Sequence, residues 1–177
     1  MDDGAEDARA ITRDYKIYFH DGFDAPLLSI FGGKITTYRK LSEHVVNDLE
    51  KFSETKHGPW TNNVCLPGGD IQDALIDNLF AEYSMKYQWL PLDLVCRYVW
   101  HYGTRTQEII GDAQSLDDLG EHYGDHVYEA EIRYLVENEF VRTSEDILLR
   151  RTKLALRISN ETKKNIEAAL QKQLKKP

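Results

Sequence analysis

The chain has 177 residues, 41% of them apolar, which is enough for a domain-sized core and argues against global disorder. Its 22 Lys and Arg against 30 Asp and Glu leave a net charge of −8, which disfavours a dedicated nucleic-acid binder. No apolar run approaches the roughly 18 residues of a membrane span, and the opening MDDGAED is acidic where a signal peptide is basic and then apolar. Cys65 and Cys96 stand apart with no CxxC partner, so neither a disulfide scaffold nor a four-cysteine zinc site is expected, and a reducing, cytoplasmic-side location is the default.

After a short acidic lead-in, Ile11 to His20 alternates, with Ile11, Tyr15, Ile17 and Phe19 on one parity, and predicts a half-buried strand. Arg13 falls on the mostly apolar parity, so it either snorkels outward or is held inward by an anion. Asp21-Gly22 supplies turn chemistry, and the dense run Leu27 to Phe31 (LLSIF) has the look of a strand covered on both faces. Beyond Gly32-Gly33, residues Tyr38, Leu41, Val45, Leu49 and Phe52 recur at steps of three and four and predict an amphipathic helix over 36–52.

Gly58, Pro59, Pro67, Gly68 and Gly69 make 57–70 a linker, and the chain then turns helical. Leu75, Leu79 and Tyr83 mark one helix; Leu92, Val95, Tyr98 and Val99 mark a second, starting after Pro91; Tyr128, Ile132, Leu135 and Val136 mark a third. Thr143-x-x-Asp146 resembles a capping box ahead of Ile147, Leu154 and Ile158. Residues 150–177 carry nine basic side chains against Glu161 and Glu167, ending in a basic helix with an Ile166, Leu170, Leu174 stripe. That helix either docks on the body with its basic face in water or lies on a membrane surface.

The most informative local pattern is strand, Gly-Gly, Lys, helix. Two glycines let the backbone approach a ligand, the helix start offers N–H groups, and Lys34 adds a cation. An anion or the electron-rich end of a reduced flavin suits such a corner. A Gly-Gly turn also serves as a plain tight connection, and the residues alone leave both readings open. Neither GxxxxGK[ST] nor GxGxxG occurs, so a stand-alone flavoprotein is not expected.

ITRDY (11–15), APLLSIFGGKITTYRKLSEH (25–44) and LPGGDI (66–71) follow one another in order, and YGTRTQEII (102–110) and YEAEIRYLVENEFVRTSEDILLRRTKLAL (128–156) come after them. In these segments the chain resembles the C-terminal portion of the FAD-dependent glycerol-3-phosphate dehydrogenases. The resemblance implies oxidation of sn-glycerol 3-phosphate to dihydroxyacetone phosphate, with hydride passing to FAD and electrons to a membrane quinone or, in some relatives, oxygen. It implies that Gly33, Lys34, Ile35 and Thr36 border the flavin and that Arg13 and Lys34 grip the substrate phosphate, Arg as a fork and Lys as a point charge. The fingerprint that holds the FAD pyrophosphate and the catalytic proton acceptor belong to the family's N-terminal portion.

The fold class expected is α+β: residues 1–56 as a strand-turn-helix remnant of the FAD and substrate domain, and 57–177 as a mainly helical cap. The fragment by itself is expected to be inactive and free of FAD, with the N-terminal FAD domain as its partner, a homo-oligomer or the inner face of the cell membrane as further partners, and no nucleic acid. The alternative is a non-catalytic interaction, oligomerisation or membrane-contact module. His122 and His126, four apart, sit among glycines with no HExxH, so no metal site is expected. The remaining histidines, among them His101, read as isolated; Cys65 and Cys96 read as part-buried thiols, and Trp60, Trp89 and Trp100 as core. Arg150, Arg151 and Lys153 are expected to pair with Asp117, Asp118 or Glu121.

Overall fold

Residues 14–20, 22, 25, 27–52 and 58–175 are described by the computed structural model. The chain divides into two compact units between Val64 and Cys65. The architecture is α+β, a small two-stranded sheet with one long helix followed by a largely helical unit.

In the first unit, β1 (Lys16–His20) pairs antiparallel with β2 (Leu27–Phe31), in a register that sets Lys16 opposite Phe31 and His20 opposite Leu27. The expected start of this strand at Ile11 lies outside the described residues. A tight turn over Ile35–Thr37 leads into α1 (Tyr38–Leu49), which ends in a second tight turn, Glu50–Phe52. Phe19 stacks on Phe52 at 5.2 Å, and Tyr15 meets His44 edge-on at 6.0 Å, so the helix touches the strand region through aromatic rings. Thr61 ties the following chain back to α1, accepting from Arg39 at 3.2 Å and donating to Glu43 at 3.0 Å. The double-sided cover expected for LLSIF is not there: Leu27, Ile30 and Phe31 each stay nearly half exposed. Two strands and one helix are too few layers to enclose them, and no described residue of this unit is buried.

The second unit holds the core. α2 (Ile76–Lys86) and α3 (Leu92–Tyr102) are separated by Pro91, whose ring cannot continue a helix and sits at the N-cap of α3. Leu94, Val95, Tyr98, Val99 and Tyr102 fall at steps of one and three and bury the inner face of α3. A short α4 (Thr106–Ile110) comes next. The hairpin of β3 (His122–Gly124) and β4 (Val127–Tyr128) turns at Asp125 and His126, both left-handed at φ 47 and 57, and leads directly into α5 (Glu129–Asn138).

Asp146 caps its segment as the sequence predicts, accepting from the Thr143 N–H at 2.8 Å while its own N–H donates to the Thr143 hydroxyl at 3.2 Å. The capped segment is a π-helical stretch, Asp146–Arg151, and not a helix running on to Ile158. Thr152 breaks it by donating to the Ile147 carbonyl at 2.7 Å, and Lys153 adopts a left-handed φ of 59. The basic residues here find partners other than those expected: Arg150 pairs with Asp146 at 2.7 Å and Glu145 at 3.3 Å, Arg151 lies 3.9 Å from Glu139, and Lys172 is the residue beside Glu121.

The last helix, α6 (Asn160–Gln173), starts at Ser159, whose hydroxyl accepts from the Thr162 N–H at 3.1 Å. Ile166 and Leu170 are fully buried, each contributing about 1.5–3 kcal/mol of hydrophobic burial, and Leu174 packs partly buried against the core, so α6 docks its apolar stripe on this unit. Trp60 and Trp100 correct the core expectation: both are more than 60% exposed, and Trp89 alone packs against the core. Cys65 is exposed and Cys96 half-buried.

Candidate functional site

After β2 the chain must turn sharply to start α1, and it does so through Gly32 and Gly33 at φ 76 and 109. A Cβ at Gly33 would meet only ordinary contacts, the nearest being Tyr15 Cβ at 3.6 Å, so glycine is required there for its backbone conformation and not for space. Lys34 is extended, and Thr37 locks it from both sides: the Thr37 hydroxyl donates to the Lys34 carbonyl at 2.9 Å and accepts from the Lys34 N–H at 3.2 Å. The Thr37 N–H also donates to the Lys34 carbonyl, at 3.0 Å.

This lock leaves the N–H groups of Ile35 and Thr36 without an acceptor among the described residues, as expected of the first residues of a helical turn. The Ile35 side chain is 89% exposed, and no carboxylate is paired with the Lys34 ammonium among the described residues. Gly33, Lys34, Ile35 and Thr36 thus share one open corner, rigid in its backbone and positive through N–H dipoles and one cation. Arg13 lies outside the described residues.

The segments LPGGDI and YGTRTQEII, far apart in sequence, meet in the second unit. The Thr104 N–H donates to the Gly68 carbonyl at 3.1 Å, and the Thr104 hydroxyl donates to Asp70. Gly68 and Gly103 approach backbone to backbone, both at positive φ; a Cβ on Gly103 would fall on the Gly68 carbonyl oxygen. The Thr104 hydroxyl, helped by the backbone and Arg105, holds the Asp70 carboxyl below its usual range.

Sequence reading missed a buried polar cluster. The Arg97 guanidinium on α3 donates to both oxygens of Glu131 on α5, at 2.5 and 2.8 Å, and to the His126 carbonyl at 2.9 Å. The Tyr102 hydroxyl donates to Glu131 at 2.6 Å, and burial, then the Glu131 charge, hold that phenol well above its usual range, so it stays a donor. The sequence signal is that each charge stands next to a core position of its helix, Arg97 beside Tyr98 and Glu131 beside Ile132. His122 and His126 lie on the hairpin with ring centres 6.4 Å apart, His126 reaching Asp93 at 3.1 Å; no group of three or more metal-ligating side chains assembles among the described residues.

Residues 59–175 fit the family model described as the C-terminal domain of alpha-glycerophosphate oxidase, and the chain belongs to that family. It is 43% identical over 153 residues to the aerobic glycerol-3-phosphate dehydrogenase of Escherichia coli, covering 86% of this chain and 30% of that protein. It is 42% identical over 159 residues to the D-erythritol 1-phosphate dehydrogenase of Brucella abortus, covering 90% and 32%. The glycerol-3-phosphate dehydrogenase of Pseudomonas aeruginosa is 40% identical over 159 residues, with 89% and 31% covered. The chain therefore spans about a third of the length of these curated relatives. Among the described residues no helix is long and apolar enough to cross a membrane.

Proposed function

We propose that this chain is the C-terminal part of an FAD-dependent dehydrogenase that oxidises sn-glycerol 3-phosphate to dihydroxyacetone phosphate and passes the electrons to a quinone. Residues 1–56 complete the FAD and substrate domain and 57–177 form the helical cap. The observation that carries this reading is the corner at Gly33 to Thr36: on one exposed turn, two N–H groups and an ammonium that have no acceptor or carboxylate partner among the described residues. The absence of any buried side chain among the described residues of the first unit supports its role as a piece of a larger packed domain.

These residues fit a flavin edge. The N–H groups of Ile35 and Thr36, without acceptors among the described residues, would donate to the electron-rich edge of a reduced flavin and stabilise its charge. Bound FAD supplies the hydride acceptor. Lys34, with Arg13, holds the substrate phosphate dianion and so fixes the reacting carbon, while the hydroxyl proton leaves to a base outside this chain. On this reading the base and the pyrophosphate-binding fingerprint belong to the N-terminal portion of the parent enzyme, and the 177 residues assayed alone are expected to show no activity.

The test is a fusion of the family's N-terminal flavin half to this chain, assayed for polyol-phosphate-dependent dye reduction. Lys34→Ala should raise the KM for glycerol 3-phosphate by about tenfold or more, the worth of one charge-assisted contact. An unchanged KM in a folded, FAD-loaded fusion would remove Lys34 from the phosphate site. D-Erythritol 1-phosphate is a second substrate reading, favoured by a relative of that name at nearly the same identity as the Escherichia coli enzyme. The ratio of kcat/KM for the two polyol phosphates decides between them.

A further inference from the structure

In the second unit, away from the Lys34 corner, a cleft of about 210 Å³ is lined by Arg97, His101, Arg151, Lys153 and Arg157 around Thr152, Leu154 and Leu156. Arg97 and His101 are four apart on α3 and so present the same face; the others belong to the end of the π-helical stretch and the turn after it. No carboxylate lines the cleft. Arg97 is neutralised by Glu131 and Arg151 is only loosely balanced by Glu139 at 3.9 Å, whereas no carboxylate is paired with Lys153 or Arg157 among the described residues. Two positive charges are left uncompensated over a floor that is largely apolar.

The backbone that builds this wall is costly. The π-helical turn ends at Arg151, and Lys153 sits at φ 59, where a lysine is strained by roughly 1–2 kcal/mol and a glycine is not. Its ammonium donates to the Leu149 carbonyl and so closes the π-helical turn. Strained residues and π-turns collect at binding sites because only a gain elsewhere keeps them.

We propose that this cleft is an anion site for a phosphate monoester, gripped by Arg157, Lys153 and Arg151, with the ester's carbon side against Leu154 and Leu156. The cleft is smaller than the roughly 300 Å³ at which drug-sized sites begin, which suits a group of this size. Arginine forks and an apolar floor that thins the water both favour the dianion. His101 reports on occupancy. Burial first, then the Arg97 cation, with Arg157 adding and Glu131 opposing, hold its imidazole below the usual value. A dianion among Arg97, Arg151, Lys153 and Arg157 would offset those cations and raise it.

The site does not depend on the function proposed above, and the experiment separates the two. Inorganic phosphate is titrated into the full 177-residue chain while backbone amides of residues 151–157 and the His101 ring are followed by NMR. Saturable shifts there, a rise in the His101 pKa on saturation, and binding at least about tenfold weaker in Arg157→Gln are expected. Lys153→Gly controls for folding: it removes the charge, the exposed bond to the Leu149 carbonyl and the backbone strain together, and since the relief of strain offsets the loss of one exposed bond, binding weakens while thermal stability holds. Co-sedimentation with phosphatidic acid vesicles, again lost in Arg157→Gln, would assign the monoester to a lipid headgroup; phosphate binding without it assigns a free metabolite. Absence of binding to either probe, equal binding in the variants, or loss of phosphate binding in Lys34→Ala but not Arg157→Gln overturns the proposal.

Discussion

Arg97 and Glu131 join α3 to α5 through a fork of two hydrogen bonds, at 2.5 and 2.8 Å, with the carboxylate wholly out of solvent. The same guanidinium holds the His126 carbonyl at the hairpin turn, and Tyr102 takes a further share of the carboxylate. Three elements are thus pinned by one ion pair.

Removing one partner leaves the other charged and buried. Glu131→Ala should therefore destabilise the second unit by about 3–5 kcal/mol in urea unfolding, far more than a surface pair would. The double variant Arg97→Met, Glu131→Leu should recover only part of this, because Tyr102 and the His126 carbonyl lose their partners.

Gly103 and Gly111 share a φ of 56 but differ in their surroundings. Gly111→Ala meets nothing within 4 Å and should cost about 1–3 kcal/mol, the penalty of a backbone conformation at φ 56 and ψ −131 that only glycine adopts freely. Gly103→Ala would drive a methyl onto the Gly68 carbonyl and force the LPGGDI loop off the YGTR turn. Its loss of thermal stability should clearly exceed that of Gly111→Ala; equal losses would mean that the two loops do not pack backbone to backbone.

The Asp146 carboxylate accepts the N–H groups of Arg142 and Thr143, at 3.0 and 2.8 Å, and lies 2.7 Å from Arg150, and these bonds depress its pKa well below the ordinary 3.8. A depressed carboxylate stabilises the fold above its unfolded pKa and loses that contribution as pH falls toward the folded value. The melting temperature of the native chain should drop in this acid window, and Asp146→Asn should show a flatter profile there while starting lower at neutral pH.

At the hairpin turn, His126 carries a φ of 57 that glycine adopts freely, and its ring makes one exposed pair with Asp93. His126→Gly relieves the strain, gives up a pair of little worth, and keeps the carbonyl that Arg97 needs. A gain of about 0.5–1 kcal/mol in thermal or urea unfolding is expected.

Local periodicity and breakers determined the element list. The run from Tyr38 to Phe52, the stop at Pro91, the cap at Thr143 and Asp146, and the stripe of Ile166 and Leu170 are all local signals, and each appears where the sequence places it. The Gly33 to Thr36 corner is local too, since positive φ and the Thr37 lock arise within six residues. Long-range contact decided the rest. Arg97 meets Glu131 across thirty-four positions, and Gly68 meets Gly103 across thirty-five, because packed helices bring them together. The cleft around His101 likewise exists only once the turn after Arg151 folds over α3, which no residue spacing in the chain announces.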